Sequence, residues 1–346
     1  MPVRNEASYI RRSLEAVFAQ DYPSERMEIV IIDGLSTDGT REIITKLAIQ
    51  NPKFPITILD NPGLTVPIGL NSAIPQTKGQ IIVRVDGHCE IASDYIRRCV
   101  EHIQEVDVDG VGGSIDTIGE TWIARVIAVA ISSPFGVGGS AFRTIKDKTM
   151  STDTVPFPAY TRSIIKRAGL YDEELVRNQD DEYNYRVREL GGKILLAADI
   201  HSKYYSRSTL ISLWRQFYQY GFWKVRVLQK HPLQMRPRQF VPPAFIGFLI
   251  TSAILAFFTP IGRFMLILVS GTYLLANLAA SFWTAFHESW RYLHLLPLIY
   301  FIIHFSYGLG FLVGLVRFAN RWGDKQGKVP TWEQVRARFV DNINLV

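Results

Sequence analysis

The chain has 346 residues, a formal net charge of +6 and only two cysteines, Cys89 and Cys99. So few cysteines exclude a disulfide-rich scaffold and a site built from several thiolates, and they favour a reducing compartment. The positive charge suits an anionic partner: a nucleotide, a phospholipid headgroup or a nucleic acid. No cleavable signal peptide is predicted, because the opening stretch MPVRNEASYIRR lacks an apolar core.

Strand and helix signals alternate through the first 235 residues. Short apolar runs rich in branched residues predict strands at 27–34, 54–61, 79–87 and 109–118. Helical spacing predicts helices at 36–51, where Ser36 or Asp38 would be the cap, at 66–77 and at 93–106. Repeated strand–helix units indicate an α/β domain with a mainly parallel sheet and helices on its faces.

Two of these strands end in an acidic residue, Asp33 and Asp86. The carboxyl ends of parallel strands meet at one edge of a sheet, so both carboxylates could line one crevice. Residues two apart on a strand face the same side, which would put His88 beside Asp86. A carboxylate and an imidazole can hold a hard divalent metal. The alternative is a set of unrelated turn residues.

A third acidic stretch, YDEELVRNQDDEYNYRVRELGGKI, covers 171–194. It places three consecutive acids at the start of a predicted helix: Asp180, Asp181 and Glu182. After a loop, such a carboxylate could face a cleft, or the acids could simply be solvated at the positive end of the helix dipole. His201 and the aromatic-rich stretch 203–223 follow. They could frame a substrate, or form an amphipathic helix on the domain or in a membrane interface.

The composition changes at RPRQFVPP, residues 236–243, after which Phe, Leu, Ile, Ala and Gly dominate. Three stretches are candidate membrane spans, 241–259, 264–283 and 293–316. In the third, three glycines could allow close helix packing: Gly308, Gly310 and Gly314. The alternative is a buried helical subdomain of a soluble protein.

A basic tail at 319–346 follows the last span. The positive-inside rule would put this tail in the cytoplasm with the first 235 residues, whereas three full spans would put it on the opposite side. The sequence leaves the number of membrane crossings open. The predicted domains are thus 1–235, 236–318 and 319–346.

Taken in order, four stretches resemble the family 2 inverting glycosyltransferases over roughly residues 2–225: PVRNEASYIRRSLEAVFAQDYP, IVIIDGLSTDGT, RVDGHCEI and GLYDEELVRNQDDEYNYRVRELG. SSPFGVGGSAFR at 132–143 and DTVPFPAYTRSIIKRAGLYDE at 153–173 resemble the bacterial exopolysaccharide branch with succinoglycan-type glucosyltransferases. The resemblance implies a nucleotide-diphospho-sugar transferase (GT-A type) domain in residues 1–235, followed by C-terminal transmembrane helices.

The resemblance also implies a donor site. The family's nucleotide-binding start corresponds to Pro2, Arg4, Asn5 and Glu6, and its base-reading aspartate to Asp33. The usual second acid there is Gly34 in this chain, so any contact from that position is lost. The metal-binding Asp-x-Asp motif corresponds to Asp86 and His88, which implies Mg²⁺ or Mn²⁺ beside the donor diphosphate, with histidine in place of the second aspartate.

The family's catalytic base corresponds to Asp180, with Gln179 in place of the preceding acid and Glu182 in the second acidic position. Asp181 is a supporting candidate. Processive polymerases of the family carry Gln-x-x-Arg-Trp. Here Gln219 and Trp223 are present with Phe222 between them, which argues against a processive synthase.

These residues predict a membrane-anchored inverting transferase. It would move a sugar from a nucleotide-sugar donor, a UDP-sugar, to a lipid-linked oligosaccharide or polysaccharide in exopolysaccharide biosynthesis, without a nucleic-acid partner. The expected location is the inner membrane, multi-pass, with a cytoplasmic catalytic domain. One alternative is a polyprenyl-phosphate sugar synthase. Another is a non-catalytic nucleotide-sugar-binding protein, which the substitutions Gly34, His88 and Gln179 suggest.

The N-terminus carries a further expectation. In the family, the PVRNE motif follows a first buried strand, and Met1 to Val3 is short for a strand of about five residues. A missing strand would expose backbone groups of its neighbour. The natural chain is therefore predicted to begin upstream with an apolar segment. The alternative is a poorly stable or inactive product.

Overall fold

The computed structural model describes residues 1–343. Its strands are β1 Pro2–Val3, β2 Ile29–Asp33, β3 Ile56–Asp60, β4 Ile81–Val83, β5 Cys89–Ile91, β6 Gly110–Ile118, β7 Met150–Ser151, β8 Ala159–Thr161 and β9 Ile194–Tyr205. Its helices are α1 Ile10–Phe18, α2 Thr40–Gln50, α3 Val66–Ala73, α4 Tyr95–Glu105, α5 Trp122–Ser132, α6 Pro134–Val137, α7 Ala141–Thr144, α8 Arg162–Ala168, α9 Gln179–Glu189, α10 Leu210–Lys230, α11 Val241–Ala256, α12 Pro260–His287, α13 Leu296–Arg317 and α14 Trp332–Ile343.

The chain forms two compact units that differ from the predicted domains. Of the described residues, the α/β unit contains Met1–Asp116, Ile145–Tyr204 and 326–343. The helical unit contains Thr117–Thr144 and Tyr205–Lys325. The chain therefore leaves the α/β unit twice, and the apolar helix α5 packs with α13 within the helical unit.

The first sheet of the α/β unit is parallel and follows the predicted strand–helix pattern. Its order is β1-β2-β3, and β2 pairs with β3 along its whole length. Three isoleucines of β2 are buried, as expected of a parallel strand covered on both faces: Ile29, Ile31 and Ile32. This sheet brings Asp33 to the carboxyl end of β2.

The remaining strands form a second sheet in the order β4-β8-β6-β9-β5, with β7 on β9. Its described registers, those of β4 with β8, β5 with β9, β6 with β8 and β7 with β9, are all antiparallel. The predicted α/β class is confirmed, but the parallel registers that the structure describes lie in the first sheet. The long strands β6 and β9 pair with partners far along the chain, which strand–helix alternation does not reveal.

The short strand β1 nevertheless pairs with β2. Pro2 and Val3 lie opposite Ile32 and Asp33 in parallel register. The Ile32 amide donates to the Met1 carbonyl at 2.9 Å and the Gly34 amide to the Val3 carbonyl at 2.8 Å. An upstream apolar segment stays a prediction.

Helix α2 begins differently from the prediction. Its N-cap position is Gly39, with φ +89°, so the prediction that Ser36 or Asp38 holds the N-cap position is wrong. Oδ1 of Asp38 nevertheless accepts from the Thr40 amide at the start of the helix, at 3.1 Å. The Ser36 hydroxyl donates instead to Asp33, and Asp38 accepts from the Ala7 amide, because the loop before α2 is bonded to the N-terminal segment.

The helical unit contains three helical segments that are long and apolar enough to cross a membrane: Pro237–Ala256, Pro260–His287 and Leu296–Arg317. They correspond to the three predicted spans. The glycines of α13 allow close packing as predicted. A Cβ on Gly308 would lie 2.5 Å from the Pro242 carbonyl oxygen, and one on Gly310 would lie 2.1 Å from that of Tyr218.

Candidate active site

Arg84 joins two carboxylates that are far apart in the sequence. It follows β4 and is 9% exposed. Its Nε donates to Oδ1 of Asp86 at 2.8 Å and its Nη2 to Oδ2 at 3.1 Å. Its Nη1 donates to Oδ1 of Asp180, in the first turn of α9. The structure thus brings the predicted donor-site acid and the predicted base to one guanidinium.

Arg84 gives the two acids different proton affinities. Burial alone would raise the pKa of the Asp86 carboxyl, but the Arg84 guanidinium outweighs it and leaves that pKa below its usual value. Burial also raises the pKa of Asp180, and here Arg84 offsets only part of the rise. Water moderates this rise, since 38% of the Asp180 side chain is exposed. Asp180 is therefore the stronger proton acceptor of the two.

Sequence reasoning missed Arg84, although a signal was present. Arg84 and Asp86 are two residues apart on an extended segment, so their side chains lie on the same side. An arginine inside the apolar run 81–85 also needs a partner, because a buried charge is costly when it is unpaired.

His88 is held by Glu6. The Nδ1 atom of the imidazole lies 2.8 Å from Oε1 of Glu6, and the ring contacts Tyr204 edge-on at a centroid distance of 5.4 Å. Nε2 is then the nitrogen left for a metal. A carboxylate bonded to the other ring nitrogen is the usual way in which a metal-binding histidine is oriented.

The site suits a metal that is shared with a substrate. Among the described residues, no group of three or more His, Cys, Asp and Glu side chains could hold a metal ion. The two predicted metal ligands are Asp86 and His88, and Arg84 bonds both oxygens of Asp86. Mg²⁺ is commonly bound by one or two carboxylates together with substrate phosphates and water. The two residues fit such a metal only with a phosphate ligand present.

Asp33 lies at the end of β2 and is buried. Its Oδ1 accepts from the Ser36 hydroxyl at 2.6 Å and the Ser36 amide at 3.1 Å. Its Oδ2 lies 3.3 Å from Nη1 of Arg41, which also pairs with Asp60 at 2.5 Å. Asp33 is therefore fixed in orientation, as a residue that recognises a base must be.

The predicted nucleotide-binding segment, Pro2 to Glu6, is bonded to the loop before α2. The Asn5 amide donates to the Ser36 hydroxyl at 2.9 Å and the Glu6 amide to the Thr40 hydroxyl at 2.8 Å. Asn5 has φ +54°, a left-handed conformation that asparagine tolerates.

Gly34 stands where the resemblance would place a second acid. A Cβ there would lie 3.1 Å from both Cβ and Cδ of Arg4. The Arg4 side chain therefore occupies the space that a larger residue at position 34 would need.

The residues around Asp180 have distinct roles. Glu182 is buried and pairs with Arg186 through two bonds of 2.8 Å within α9. Gln179 is 6% exposed, and its Oε1 atom has no hydrogen-bond partner among the described residues. Of the three acids in the first turn, Asp180 is the one bonded to Arg84, while Asp181 is partly exposed.

Gln219 and Trp223 lie on α10 in the helical unit. The indole Nε1 donates to Oε1 of Gln219 at 3.1 Å, and Phe222 packs on Phe318 at a centroid distance of 4.9 Å. A role of this pair in acceptor binding stays a prediction. His201 is exposed on β9, and its Nδ1 lies 3.2 Å from the Ser114 hydroxyl.

Comparisons with known proteins agree with this architecture. The family model described as "Glycosyl transferase family 2" matches residues 1–171. "Succinoglycan biosynthesis protein ExoA" of Rhizobium meliloti (strain 1021) is 30% identical over 324 residues, 93% of this chain and 95% of that protein. A Methanococcus voltae protein is 29% identical over 323 residues, 92% of this chain and 96% of its own length. It is named "Dolichyl N-acetyl-alpha-D-glucosaminyl phosphate 3-beta-D-2,3-diacetamido-2,3-dideoxy-beta-D-glucuronosyltransferase".

Solved structures share the fold. Mannosyltransferase PcManGT from Pyrobaculum calidifontis, in complex with GDP-Man and Mn²⁺, has a TM-score of 0.55 at 16% identity and aligns over 88% of this chain and 85% of that one. S. aureus TarS 1-349 in complex with UDP has a TM-score of 0.50 at 16% identity and aligns over 92% and 90%. With ExoA similar over nearly the whole of both chains, this chain belongs to glycosyltransferase family 2 and is a glycosyltransferase with a GT-A fold.

Proposed function

We propose that the protein is a membrane-anchored inverting glycosyltransferase. It moves a sugar from a UDP-sugar to a lipid-linked oligosaccharide or polysaccharide in exopolysaccharide biosynthesis. The observation that carries this proposal is the bonding of Asp86 and Asp180 to one guanidinium, that of Arg84. A donor-binding acid and a base must lie this close together for an acceptor to attack the sugar of a bound nucleotide.

The donor side of the site uses fixed groups. Asp33 accepts a hydrogen bond from the nucleotide base, and Pro2, Arg4 and Glu6 border the nucleotide. Asp86 and His88 would hold Mg²⁺ or Mn²⁺ in the presence of the donor. When bound, the metal stabilises the negative charge that builds up on the leaving diphosphate. The complex of PcManGT with GDP-Man and Mn²⁺ supports a metal-assisted donor of this kind.

On the acceptor side, Asp180 takes the proton from the acceptor hydroxyl as its oxygen attacks C1 of the sugar. The raised pKa of Asp180 suits this role, since a carboxylate with a higher proton affinity is a better general base. Attack opposite the departing diphosphate inverts the anomeric carbon and needs no enzyme nucleophile. A supporting role of Gln179 stays a prediction, since its Oε1 is buried and has no hydrogen-bond partner among the described residues.

The relatives and the helical unit support a lipid-linked acceptor. The Methanococcus voltae relative is named for transfer to a dolichyl-phosphate-linked sugar, and the Rhizobium meliloti relative for succinoglycan biosynthesis. Three apolar helical segments of sufficient length would keep the enzyme at the membrane where such acceptors lie. The proposed location is the inner membrane, multi-pass, with the α/β unit in the cytoplasm.

The test is transfer of radiolabelled sugar from a panel of sugar nucleotides by the detergent-solubilised enzyme. The acceptors are a bacterial extract of lipid-linked oligosaccharides and, separately, polyprenyl phosphate. Transfer to the extract but not to polyprenyl phosphate supports the proposal. Transfer to polyprenyl phosphate alone identifies a polyprenyl-phosphate sugar synthase. Nucleotide-sugar binding without transfer to either acceptor identifies a non-catalytic binding protein.

A further inference from the structure

The C-terminal segment after α13 belongs to the α/β unit. The Lys328 amide donates to Oδ1 of Asp172 at 2.8 Å, and the Glu173 amide donates to the Lys328 carbonyl at 3.0 Å. Arg338 binds both carboxylate oxygens of Glu173, at 2.7 and 3.1 Å. Val335 is fully buried, and α14 packs against α3. The chain that leaves this unit after Tyr204 has therefore returned to it by Gln326.

This return limits how often the chain can cross a membrane. A compact water-soluble unit lies on one side of a bilayer. The chain between Tyr204 and Gln326 must then cross an even number of times. Three segments in this interval are long and apolar enough to cross, so they cannot all do so.

Helix α13 is the segment whose surroundings do not suit a crossing. Half of its apolar window is buried within the protein, against 17% for the segment containing α11 and 11% for α12. It packs closely along α10, where a Cβ on Gly221 would lie 2.0 Å from the Tyr307 carbonyl oxygen. Its Tyr300 hydroxyl also lies 2.8 Å from the hydroxyls of both Ser133 and Thr284. Much of α13 therefore faces protein and not lipid.

The charges of α10 strengthen this argument. Four basic residues lie along it: Arg215, Lys224, Arg226 and Lys230. If α13 crossed the bilayer, α10 would lie beside it at the same depth. Each arginine or lysine near the centre of a membrane helix costs about 2.5–3.5 kcal/mol. Neither helix of this pair is therefore suited to a transmembrane position.

Helices α11 and α12 have the properties that a crossing requires. At 1.5 Å per residue, the 20-residue segment containing α11 spans about 30 Å, the thickness of a bilayer core, and α12 is longer. Their large apolar side chains are exposed, among them Phe248, Ile254, Ile267 and Leu275. Between Arg238 and Glu288 the sole Asp, Glu, Lys or Arg is Arg263, close to the turn that joins the two helices. A charge at that turn would lie at the far interface.

We infer that α11 and α12 form a hairpin that crosses the membrane twice, with its exposed apolar faces against lipid, and that α13 does not cross. The α/β unit and the C-terminal segment then lie on the same side. This arrangement agrees with the positive-inside rule, since the segment after α13 is basic. Three spans would instead put this basic segment on the side of the membrane opposite to the α/β unit.

The test uses single introduced cysteines and a membrane-impermeant maleimide in sealed vesicles of both orientations. Cys89 and Cys99 are buried, and burial raises the pKa of both thiols, so the background is low. The variants are Lys53→Cys, Leu233→Cys, Phe258→Cys, Glu288→Cys and Gln326→Cys, all at exposed positions. We expect Phe258→Cys to react from one side and the other four from the opposite side. Labelling in detergent shows that each thiol can react.

Three results would overturn the inference. If Gln326→Cys reacts from the side opposite to Lys53→Cys, the number of crossings is odd. If Phe258→Cys reacts from the same side as Lys53→Cys, the hairpin does not cross. If Leu233→Cys reacts from the side opposite to Lys53→Cys, α10 itself crosses. None of these readouts depends on transferase activity, so they are independent of the proposed reaction.

Discussion

Arg84 controls the proton affinity of the proposed base at the scale of a single residue. Its guanidinium is the cation that opposes the rise in the pKa of Asp180 caused by burial. Without it, that pKa would rise further, and Asp180 would stay protonated up to a higher pH. Activity needs the unprotonated carboxylate. Activity is therefore lost as the pH falls through the pKa of Asp180. In a protein without Arg84, this loss of activity would begin at a higher pH.

We therefore expect Arg84→Gln to move the acidic limb of the pH profile of kcat to higher pH. Arg84→Lys should move this limb less, because lysine keeps the positive charge but not the planar, forked geometry of the guanidinium. Arg162→Gln is the matched control, since the partners of Arg162 are carbonyl and hydroxyl oxygens and not carboxylates. A lower kcat with an unmoved acidic limb in Arg84→Gln would show that Arg84 is only structural.

The base itself can be tested by a nearly isosteric change. Asp180→Asn should keep nucleotide binding and lower turnover by about 10²- to 10⁴-fold, the usual contribution of a positioned general base. Asp181→Asn is the control on the same helical turn and should stay close to wild-type turnover. Nucleotide titration and single-turnover transfer separate binding from chemistry. The reverse result, with Asp181→Asn inactive and Asp180→Asn active, would assign the base to Asp181.

The metal prediction concerns Asp86 and His88. A chelator should abolish transfer, and either Mg²⁺ or Mn²⁺ should restore it. His88→Asp should stay active, because it supplies the commoner ligand, whereas His88→Ala should need more metal. Glu6→Gln should weaken metal binding by about 10- to 100-fold, the usual effect of losing the group that orients a ligand.

Binding of Mn²⁺ can be followed by electron paramagnetic resonance in the presence of UDP, which gives a readout that does not depend on turnover. Full transfer in excess chelator would rule the metal out.

Much of the residue-scale site could be predicted because strand ends are recognisable. Asp33 and Asp86 follow apolar runs, and the structure places them at or just beyond strand ends. Arg84 and its bond to Asp180 were not predicted, since that contact joins segments far apart in the sequence. The pairing of Glu182 with Arg186 was not predicted either. Arg186 lies one helical turn away, but no sequence pattern shows that the pair is buried. A supporting role of Glu182 stays a prediction.

At the scale of elements, the loop before α9 depends on the C-terminal segment. Asp172 is buried, and its Oδ1 accepts from the amides of Glu174 and Lys328. The loop that leads to Asp180 and the chain that leads to α14 therefore share one carboxylate. Loss of this acceptor leaves two partly buried hydrogen bonds unmade, which costs about 1–3 kcal/mol.

We expect Asp172→Ala to free the C-terminal segment. If local opening limits proteolysis, tryptic cleavage after Lys325 and Lys328 should accelerate by about 5- to 150-fold, which corresponds to that cost. Glu333→Ala, an exposed change on α14, is the control and should leave the cleavage rate unchanged. Equal cleavage rates in the two variants would show that Asp172 does not hold the segment. Mass spectrometry of early fragments identifies the sites cut.

Local periodicity predicted the type of most elements but not their partners. The strands at 29–33 and 56–60 and the helices at 40–50 and 95–105 lie within the predicted stretches. The antiparallel pairing of β4 with β8 and of β5 with β9 joins residues far apart in the sequence, and such register depends on tertiary packing.

At the scale of the whole molecule, the two compact units differ from the domains predicted from the sequence. Tertiary packing, and not composition, decides to which unit a segment belongs. The segment 117–144 precedes the apolar region 236–318, yet it belongs to the helical unit. The segment 326–343 follows that region, yet it belongs to the α/β unit. The sequence predicted two boundaries, before residues 236 and 319, whereas the chain passes between the units four times.

The helical unit leads to a prediction about the intact protein. Exposure of the apolar side chains of α11 and α12 to water would be unfavourable. The hydrophobic effect that keeps them in lipid is not screened by salt, unlike the attraction between charges. We expect the protein to stay with the membrane fraction after high-salt and alkaline washes and to require detergent for extraction. Release by salt alone would show that only the basic surface holds it there.

A matched pair of variants ties this retention to the proposed hairpin. Ile267→Arg and Leu275→Arg each put a charge on the exposed face of α12, at a cost of about 2.5–3.5 kcal/mol near the bilayer centre. Combined in one chain, they should release a substantial fraction of the protein in an alkaline wash. Ile49→Arg replaces an equally exposed isoleucine on α2 of the α/β unit and should change nothing. Retention of the double variant at the wild-type level would show that α12 does not face the hydrocarbon. Release of the Ile49→Arg variant would show that the α/β unit itself contributes to anchoring through α2.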